Sequence, residues 1–128
     1  MNKEKLTVLY KKYELTKEDV FKHDHYLIIT RSGINKIEAT AKISINYEVV
    51  KCESNFCVVK ANAKYNETSI ETFGSALKGT TFKDGNTNSW YVMEMAEKRA
   101  MSRAVLKLTG FYELGVFGED ESEDFKKK

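Results

Sequence analysis

Three basic residues spaced four apart near the C-terminus are the side chains of this sequence best suited to binding chemistry. Arg99, Arg103 and Lys107 stand at i, i+4 and i+8, so a helix aligns them on one side. Like charges at this spacing destabilise an isolated helix by roughly a few tenths of a kcal/mol per pair, which favours a partner of opposite charge. That partner is either a carboxylate on a neighbouring element or a phosphate backbone. A solvated basic face is the alternative, and it carries equal weight because Lys and Arg are usually exposed.

Further cations and aromatic residues lie upstream of this stripe, in a pattern typical of single-strand binding. Sequence-tolerant binding needs cations along the phosphates and aromatic faces on which bases stack. The long loop predicted over residues 74–89 supplies Lys78, Phe82 and Lys83, and Trp90 and Tyr91 follow it. Phe82 is the better stacking candidate, because a large aromatic such as Trp90 is more often part of a core. The predicted strands add Tyr47, Phe56 and Tyr65.

Catalytic and metal-binding patterns are weak in this sequence. His23 and His25 are two residues apart and have no evident third ligand, so a surface turn is favoured over a metal site. Cys52 and Cys57 lack further thiols, so we interpret both as reduced strand residues rather than metal ligands. The glycine-bounded stretch 79–86 lacks the Gly-Lys-Ser/Thr ending that cradles a nucleotide phosphate. We therefore expect no catalysis, no cofactor and no metal.

Length and charge predict one domain with a tail. A chain of 128 residues with 41% hydrophobic and 31% charged residues is enough for a single core. The net charge of +2 is uneven, because residues 119–128 hold five acids and three lysines. The remainder then has 18 basic and 14 acidic residues, or +4. We predict a nucleic-acid-binding domain over 1–118 and a disordered acidic tail over 119–128 that ends in lysines. The sequence has no 18-residue apolar run and no signal-like N-terminus, so we expect a soluble cytoplasmic protein without membrane contact.

The elements that position these residues follow from periodicity. The spacing of Leu6, Leu9, Tyr10 and Tyr13 predicts a short N-terminal helix, and 16–21 predicts a second helical turn. Strands are predicted over 26–31, where Ser32-Gly33 signals a turn, and over 42–49, 56–65 and 68–73. A helix follows from Trp90 to about Leu108 and ends at Gly110, with small residues at Ala96, Ala100 and Ala104 facing the sheet. The predicted fold is α+β, with an antiparallel β-meander of three to four strands packed against a long C-terminal helix.

Glu97 interrupts the apolar side of that predicted helix. It falls between Met93 and Ala100, so two positions are open for it. It is either half-buried and paired with a base or located at a subunit contact.

The C-terminal helix resembles a known family. It reads Tyr91-Val92-Met93-Glu94-Met95-Ala96-Glu97-Lys98-Arg99-Ala100-Met101-Ser102-Arg103-Ala104 and closes on Leu108-Thr109-Gly110-Phe111. This pattern after a set of strands resembles phage single-strand annealing proteins of the Erf and Sak kind. The element order is similar over residues 26–112, and the motif over 91–111. The resemblance implies single-stranded DNA in a basic groove between sheet and helix, and assembly into rings or helical filaments. It also implies helix contacts from Arg99 and Arg103 and sheet contacts from Arg31, Lys60 and Lys64.

Two hypotheses follow. The first is a non-catalytic, homo-oligomeric single-stranded DNA-binding protein of phage-type replication or recombination, with or without annealing activity. The chain is shorter than typical family members, so a simple binding protein with the same core is equally plausible. The alternative is a protein-interaction module or inhibitor whose basic helix face meets an acidic protein surface. The acidic tail is solubilising, competes with DNA for the groove, or recruits a replication or recombination protein.

Overall fold

The computed structural model describes residues 3–23, 26–79 and 91–119 and contains both helices and strands. The described elements, in chain order, are α1 (Lys3–Lys12), β1 (Val20–His23), β2 (Tyr26–Ile29), α2 (Arg31–Ala41), β3 (Ser44–Cys52), β4 (Phe56–Tyr65), β5 (Thr68–Leu77), α3 (Val92–Thr109), a 3₁₀ turn (Tyr112–Leu114) and β6 (Val116–Gly118). The predicted α+β fold, with a meander against a long C-terminal helix, is confirmed. None of the described helices is long and apolar enough to cross a membrane.

The larger sheet is the predicted meander and has three strands in the order β3-β4-β5. Both pairs are antiparallel. Along β4 the burial alternates, with Cys57, Val59, Ala61 and Ala63 inside, because successive side chains of a strand point to opposite faces. A register shift between Val49 and Lys51 marks a bulge near the end of β3. The sheet therefore has one face that is covered and one that is open.

Helix α3 covers the buried face of β4 and β5 through small side chains. Ala96, Ala100 and Ala104 are fully buried, as their spacing predicts. Gly74 of β5 lies directly beneath them, where an added Cβ would sit 2.5 Å from the backbone nitrogen of Ala100. The hydroxyl of Thr72 donates to the Ala100 carbonyl at 2.7 Å. The helix ends at Gly110, which has the left-handed φ of 90° that favours glycine.

A second sheet corrects the predicted arrangement of the first strand. Strand β2 does not join the meander. It pairs antiparallel with β1, and Leu27 to Ile29 pair in parallel with β6. Residues 20–23, for which helical spacing was expected from 16 to 21, form β1 instead, after a turn closed by Asp19. The three residues of β6 were not predicted, because the 3₁₀ turn and the strand are too short to show periodicity.

Helix α2 was also missed, since Ser32-Gly33 was interpreted as a turn. Both residues lie in its first turn, where the Thr30 hydroxyl accepts a hydrogen bond from the Gly33 amide at 3.1 Å. Thr30 is therefore an N-cap. An added Cβ at Gly33 would lie 2.6 Å from the Ile29 side chain. The glycine thus allows α2 to approach β2, and Ile34 and Ile37 are buried as a result.

Helix α1 packs on the end of α3 through aromatic rings. Phe111 is fully buried, and its ring centroid lies 6.2 Å from that of Tyr10 and 6.0 Å from that of Tyr13. Leu6 is also buried on this side. The predicted helical N-terminus is therefore confirmed, and it packs against the core at the C-terminal end of α3.

Candidate nucleic-acid interface

Two arginines of α3 hold the outer edge of β5. One guanidinium nitrogen of Arg99 donates to the Ser75 carbonyl at 2.8 Å, and one of Arg103 donates to the Phe73 carbonyl at 2.8 Å. Edge strands present a row of backbone groups that no neighbouring strand pairs. The arginines therefore satisfy carbonyls that β4 does not reach.

The spacing of this contact has a geometric basis. Four residues of a helix advance about 6.0 Å, and two residues of a strand advance about 6.6 Å. Two side chains one turn apart on α3 therefore match two outward carbonyls on β5. The pairing of Arg99 with Ser75 and Arg103 with Phe73 also shows that α3 runs antiparallel to β5.

The predicted basic stripe is corrected by this arrangement. Arg99 is only 3% exposed, so its position does not suit a phosphate contact on the surface. Arg103 is half-buried, and Lys107 is exposed with its ammonium 5.3 Å from the centre of the Tyr112 ring. A partner was expected for these like-charged side chains. For Arg99 and Arg103 that partner is the backbone of β5. Arg103 and Lys107 are the members that reach solvent.

The open face of the large sheet carries the other described candidates in cross-strand rows. Lys60 is opposite Phe73 on β5 and opposite Glu48 on β3. The Phe73 side chain is 49% exposed, although it was not among the predicted stacking residues. Its signal in the sequence is the alternation of β5, which places it on the face opposite to Thr72 and Gly74.

Carboxylates offset part of the positive charge on this face. The Lys60 ammonium lies 3.4 Å from Glu71 and 3.8 Å from Glu48, so the predicted contact at Lys60 is already neutralised within the chain. Lys64, two rows further along β4, is exposed. A cleft of about 640 Å³ lies there, and its polar lining residues are Ser44, Asn46, Asn62, Lys64, Ser69 and Glu71. Amide, hydroxyl and charged groups of this kind bind polar edges and phosphates rather than apolar ligands.

The remaining predicted residues lie apart from this face or outside the described residues. Arg31, expected on a strand, begins α2 beside the small sheet, where its amide donates to the Glu119 carboxylate at 2.9 Å. Lys78 follows β5, and its amide donates to the Asn55 carbonyl at 2.7 Å. Tyr91 is 70% exposed at the start of α3. Phe82, Lys83, Trp90 and most of the acidic tail lie outside the described residues.

The covered face is acidic where it meets β3. Tyr47 is 40% exposed on the same face as α3. Burial, together with the nearby charges of Glu97 and Glu38, raises the pKa of Tyr47 to about 12. Glu97 itself is exposed, so the half-buried position considered for it is wrong. A phosphate is repelled here, which leaves the open face and the β5 edge as the candidate positions for a phosphate contact.

The described residues offer neither a metal site nor a reactive buried thiol. No group of three His, Cys, Asp or Glu side chains there is arranged to hold a metal ion. Cys57 is fully buried, and burial, followed by the neighbouring Cys52, raises the pKa of its thiol to about 11. The thiol is therefore protonated and unreactive at neutral pH.

The chain was compared with protein-family models, curated proteins and solved structures. No family model, no curated protein and no solved structure matches it.

Proposed function

We propose that this chain is a non-catalytic, single-stranded DNA-binding protein that binds DNA along the β5 edge and the open sheet face. The observation that carries the proposal is the exposed Phe73 ring, which stands on the strand held by Arg103 and opposite Lys60. An aromatic face between cations is the arrangement that sequence-tolerant single-strand binding uses. The resemblance of α3 to annealing proteins of the Erf and Sak kind supports the same assignment, including a place in phage-type replication or recombination.

The roles of the residues are divided by their exposure. Phe73 offers a stacking surface, and Tyr91 offers another at the start of α3. Lys64, Arg103 and Lys107 supply phosphate contacts because they reach solvent. Lys60 binds DNA only by exchanging a carboxylate for a phosphate. Arg99 stabilises β5 through its hydrogen bond to Ser75.

The alternative, an interaction module that docks its helix stripe on an acidic protein, is less well supported. Such a module needs Arg99 at the surface together with Arg103 and Lys107, whereas Arg99 is buried. Strand annealing, in addition to binding, requires that two strands be held at once and is tested separately below.

The test is fluorescence anisotropy with a labelled oligothymidine, titrated at two salt concentrations. We expect affinity to fall steeply with salt because binding releases counterions from the phosphates. Phe73→Ala removes one stacking surface and should weaken binding by about 1 to 3 kcal/mol, or roughly 5-fold to 150-fold. Lys107→Gln should weaken binding for all sequences and reduce the salt slope by about 1.

Lys11→Gln is the matched control, because Lys11 is an exposed lysine on α1, away from the sheet. It should bind as the parent does. Absence of binding near 50 mM salt, where phosphate contacts are strong, overturns the proposal. Equal loss in Lys11→Gln and Lys107→Gln shows that binding is diffuse and removes the site. Annealing of two complementary oligonucleotides, measured by energy transfer, then decides between simple coating and annealing.

A further inference from the structure

The two edges of the large sheet differ in how their backbones are satisfied. The β5 edge is held by Arg99 and Arg103. On the outer side of β3, no strand among the described residues pairs with it. Every residue of β3 except Ile45 is exposed, and a long exposed edge strand is a template for pairing with another chain.

Hydrogen-bond parity identifies the outward groups of β3. The outward carbonyls of Phe73 and Ser75 mean that β5 bonds β4 through the alternate residues, which lie opposite Val59 and Ala61. The backbone N–H and C=O groups of the even-numbered β4 residues are therefore directed to β3. In agreement with this, the amide of Glu53 donates to the Phe56 carbonyl at 2.6 Å. On β3 this leaves the amides and carbonyls of Ile45, Tyr47 and Val49 directed outward.

The same three residues also form an apolar row. Ile45, Tyr47 and Val49 lie opposite Ala63, Ala61 and Val59, so their side chains are on the α3 face of the sheet. Tyr47 is 40% exposed and Val49 is 50% exposed. An unpaired backbone row and an uncovered apolar row thus coincide over the part of β3 that precedes the bulge.

We propose that a second copy of this chain covers this edge, with β3 pairing antiparallel to its own symmetry mate about a two-fold axis at Tyr47. The sheet then continues through six strands. The sequence of β3 is self-complementary in this register, because Tyr47 meets its own copy and Ile45 meets Val49. On the open face Asn46 meets Glu48, an amide donor against a carboxylate.

Within the paired β3 strands no like charges are opposed in this register, and the outward groups supply about six backbone hydrogen bonds. The bulge at Val49 and Lys51 ends the regular row and so limits the register. A closed two-fold interface of this kind is isologous and yields a dimer. It does not depend on DNA binding, since the DNA-binding residues lie on the opposite edge and on the open face.

The first experiment measures mass in solution by light scattering after gel filtration, without DNA. The expected mass is that of a dimer, twice the 14.7 kDa of the chain. Val49→Lys places a charge in the exposed apolar row and should give a monomer with an unchanged far-UV spectrum. Val8→Lys is the control, because Val8 is 64% exposed on α1 and outside the edge, and it should remain a dimer.

The second experiment tests the axis. In a Cys52→Ser background, Tyr47→Cys should form a disulfide with its own copy when oxidised glutathione is supplied. Val49→Cys should not, because two copies of residue 49 are separated by four residues of strand, or about 13 Å, beyond the reach of a disulfide.

Each outcome bears on the proposal. A dimer that Val49→Lys dissociates, with cross-linking confined to Tyr47→Cys, supports it. A monomeric parent chain overturns it, and so does a ring-sized mass, a dimer that survives Val49→Lys, or cross-linking of Val49→Cys as readily as Tyr47→Cys. Failure of DNA binding leaves these measurements unchanged, so the two proposals fail separately.

Discussion

Replacing Arg99 by alanine separates a structural arginine from a DNA-binding one. The side chain is 3% exposed and donates to the Ser75 carbonyl at 2.8 Å. A hydrogen bond to a charged group contributes about 1.5 to 3 kcal/mol, and the packed aliphatic stem adds to this. We expect Arg99→Ala to lower the free energy of unfolding by about 3 kcal/mol, since the part-buried Ser75 carbonyl also loses a donor.

The assay is urea unfolding followed by circular dichroism, with a thermal scan beside it. A loss of this size lowers the melting temperature by about 10 °C for a domain of this length. Lys107→Ala, eight residues further on the same helix, is the control and should stay within about 0.5 kcal/mol because Lys107 is exposed. Anisotropy at a temperature where both variants are folded should then show weaker DNA binding for Lys107→Ala and parental binding for Arg99→Ala. The reverse pattern, with stability retained and DNA binding lost in Arg99→Ala, refutes the assignment of Arg99 to the strand.

Three further predictions concern packing, pH and thiol access. Gly74→Ala should destabilise the fold by about 3 kcal/mol in urea unfolding, because its Cβ meets the backbone of α3. Ser69→Ala, on the exposed face of β5, is the control and should be neutral. Equal urea midpoints for the two variants contradict the close approach of α3 to Gly74. Burial acts to raise the pKa of Asp19, but hydrogen bonds from Lys36, at 2.7 Å, and from Thr16 outweigh it and lower the pKa. Because the folded pKa is depressed, the Asp19 carboxylate stabilises the fold above its unfolded pKa of about 3.9, and this contribution is lost as pH falls through the folded pKa. Asp19→Asn should therefore reduce the loss of unfolding free energy at acid pH. An unchanged loss at acid pH contradicts the pairing of Asp19 with Lys36. Iodoacetamide should label Cys52 first and Cys57 only on unfolding, because Cys52 is exposed and Cys57 is buried; mass spectrometry showing equal rates contradicts this.

The part of the fold that local patterns encode was predictable. The alternation along β4 and the four-residue spacing of Ala96, Ala100 and Ala104 predicted the meander and the helix that covers it. Gly110 predicted the end of that helix, since a left-handed residue is required there. These elements are long, so their periods are repeated often enough to be recognised.

The missed elements depend on contacts between distant parts of the chain. Gly33 looks like a turn residue, but its small size is used for the contact with Ile29. Strand β6 has three residues and pairs in parallel with Leu27 to Ile29, about ninety positions earlier in the chain, so no local period announces it. Arg99 was assigned to the surface because arginine usually lies there. Its acceptor is a main-chain carbonyl, a group that every residue has and that a sequence does not distinguish.

The alignment of α3 with β5 depends on contacts between residues of these two elements. Their relative position is set by Gly74 beneath Ala100 and by the two arginines on alternate carbonyls, so sliding by one residue breaks all of these contacts at once. We therefore expect single insertions between Gly79 and Tyr91 to leave the alignment of helix and strand unchanged. A single insertion between Arg99 and Arg103 rotates the second arginine by about 100° away from the strand. Tolerance to insertion is thus expected to change abruptly at the start of α3, and a scan of single-residue insertions would map this boundary.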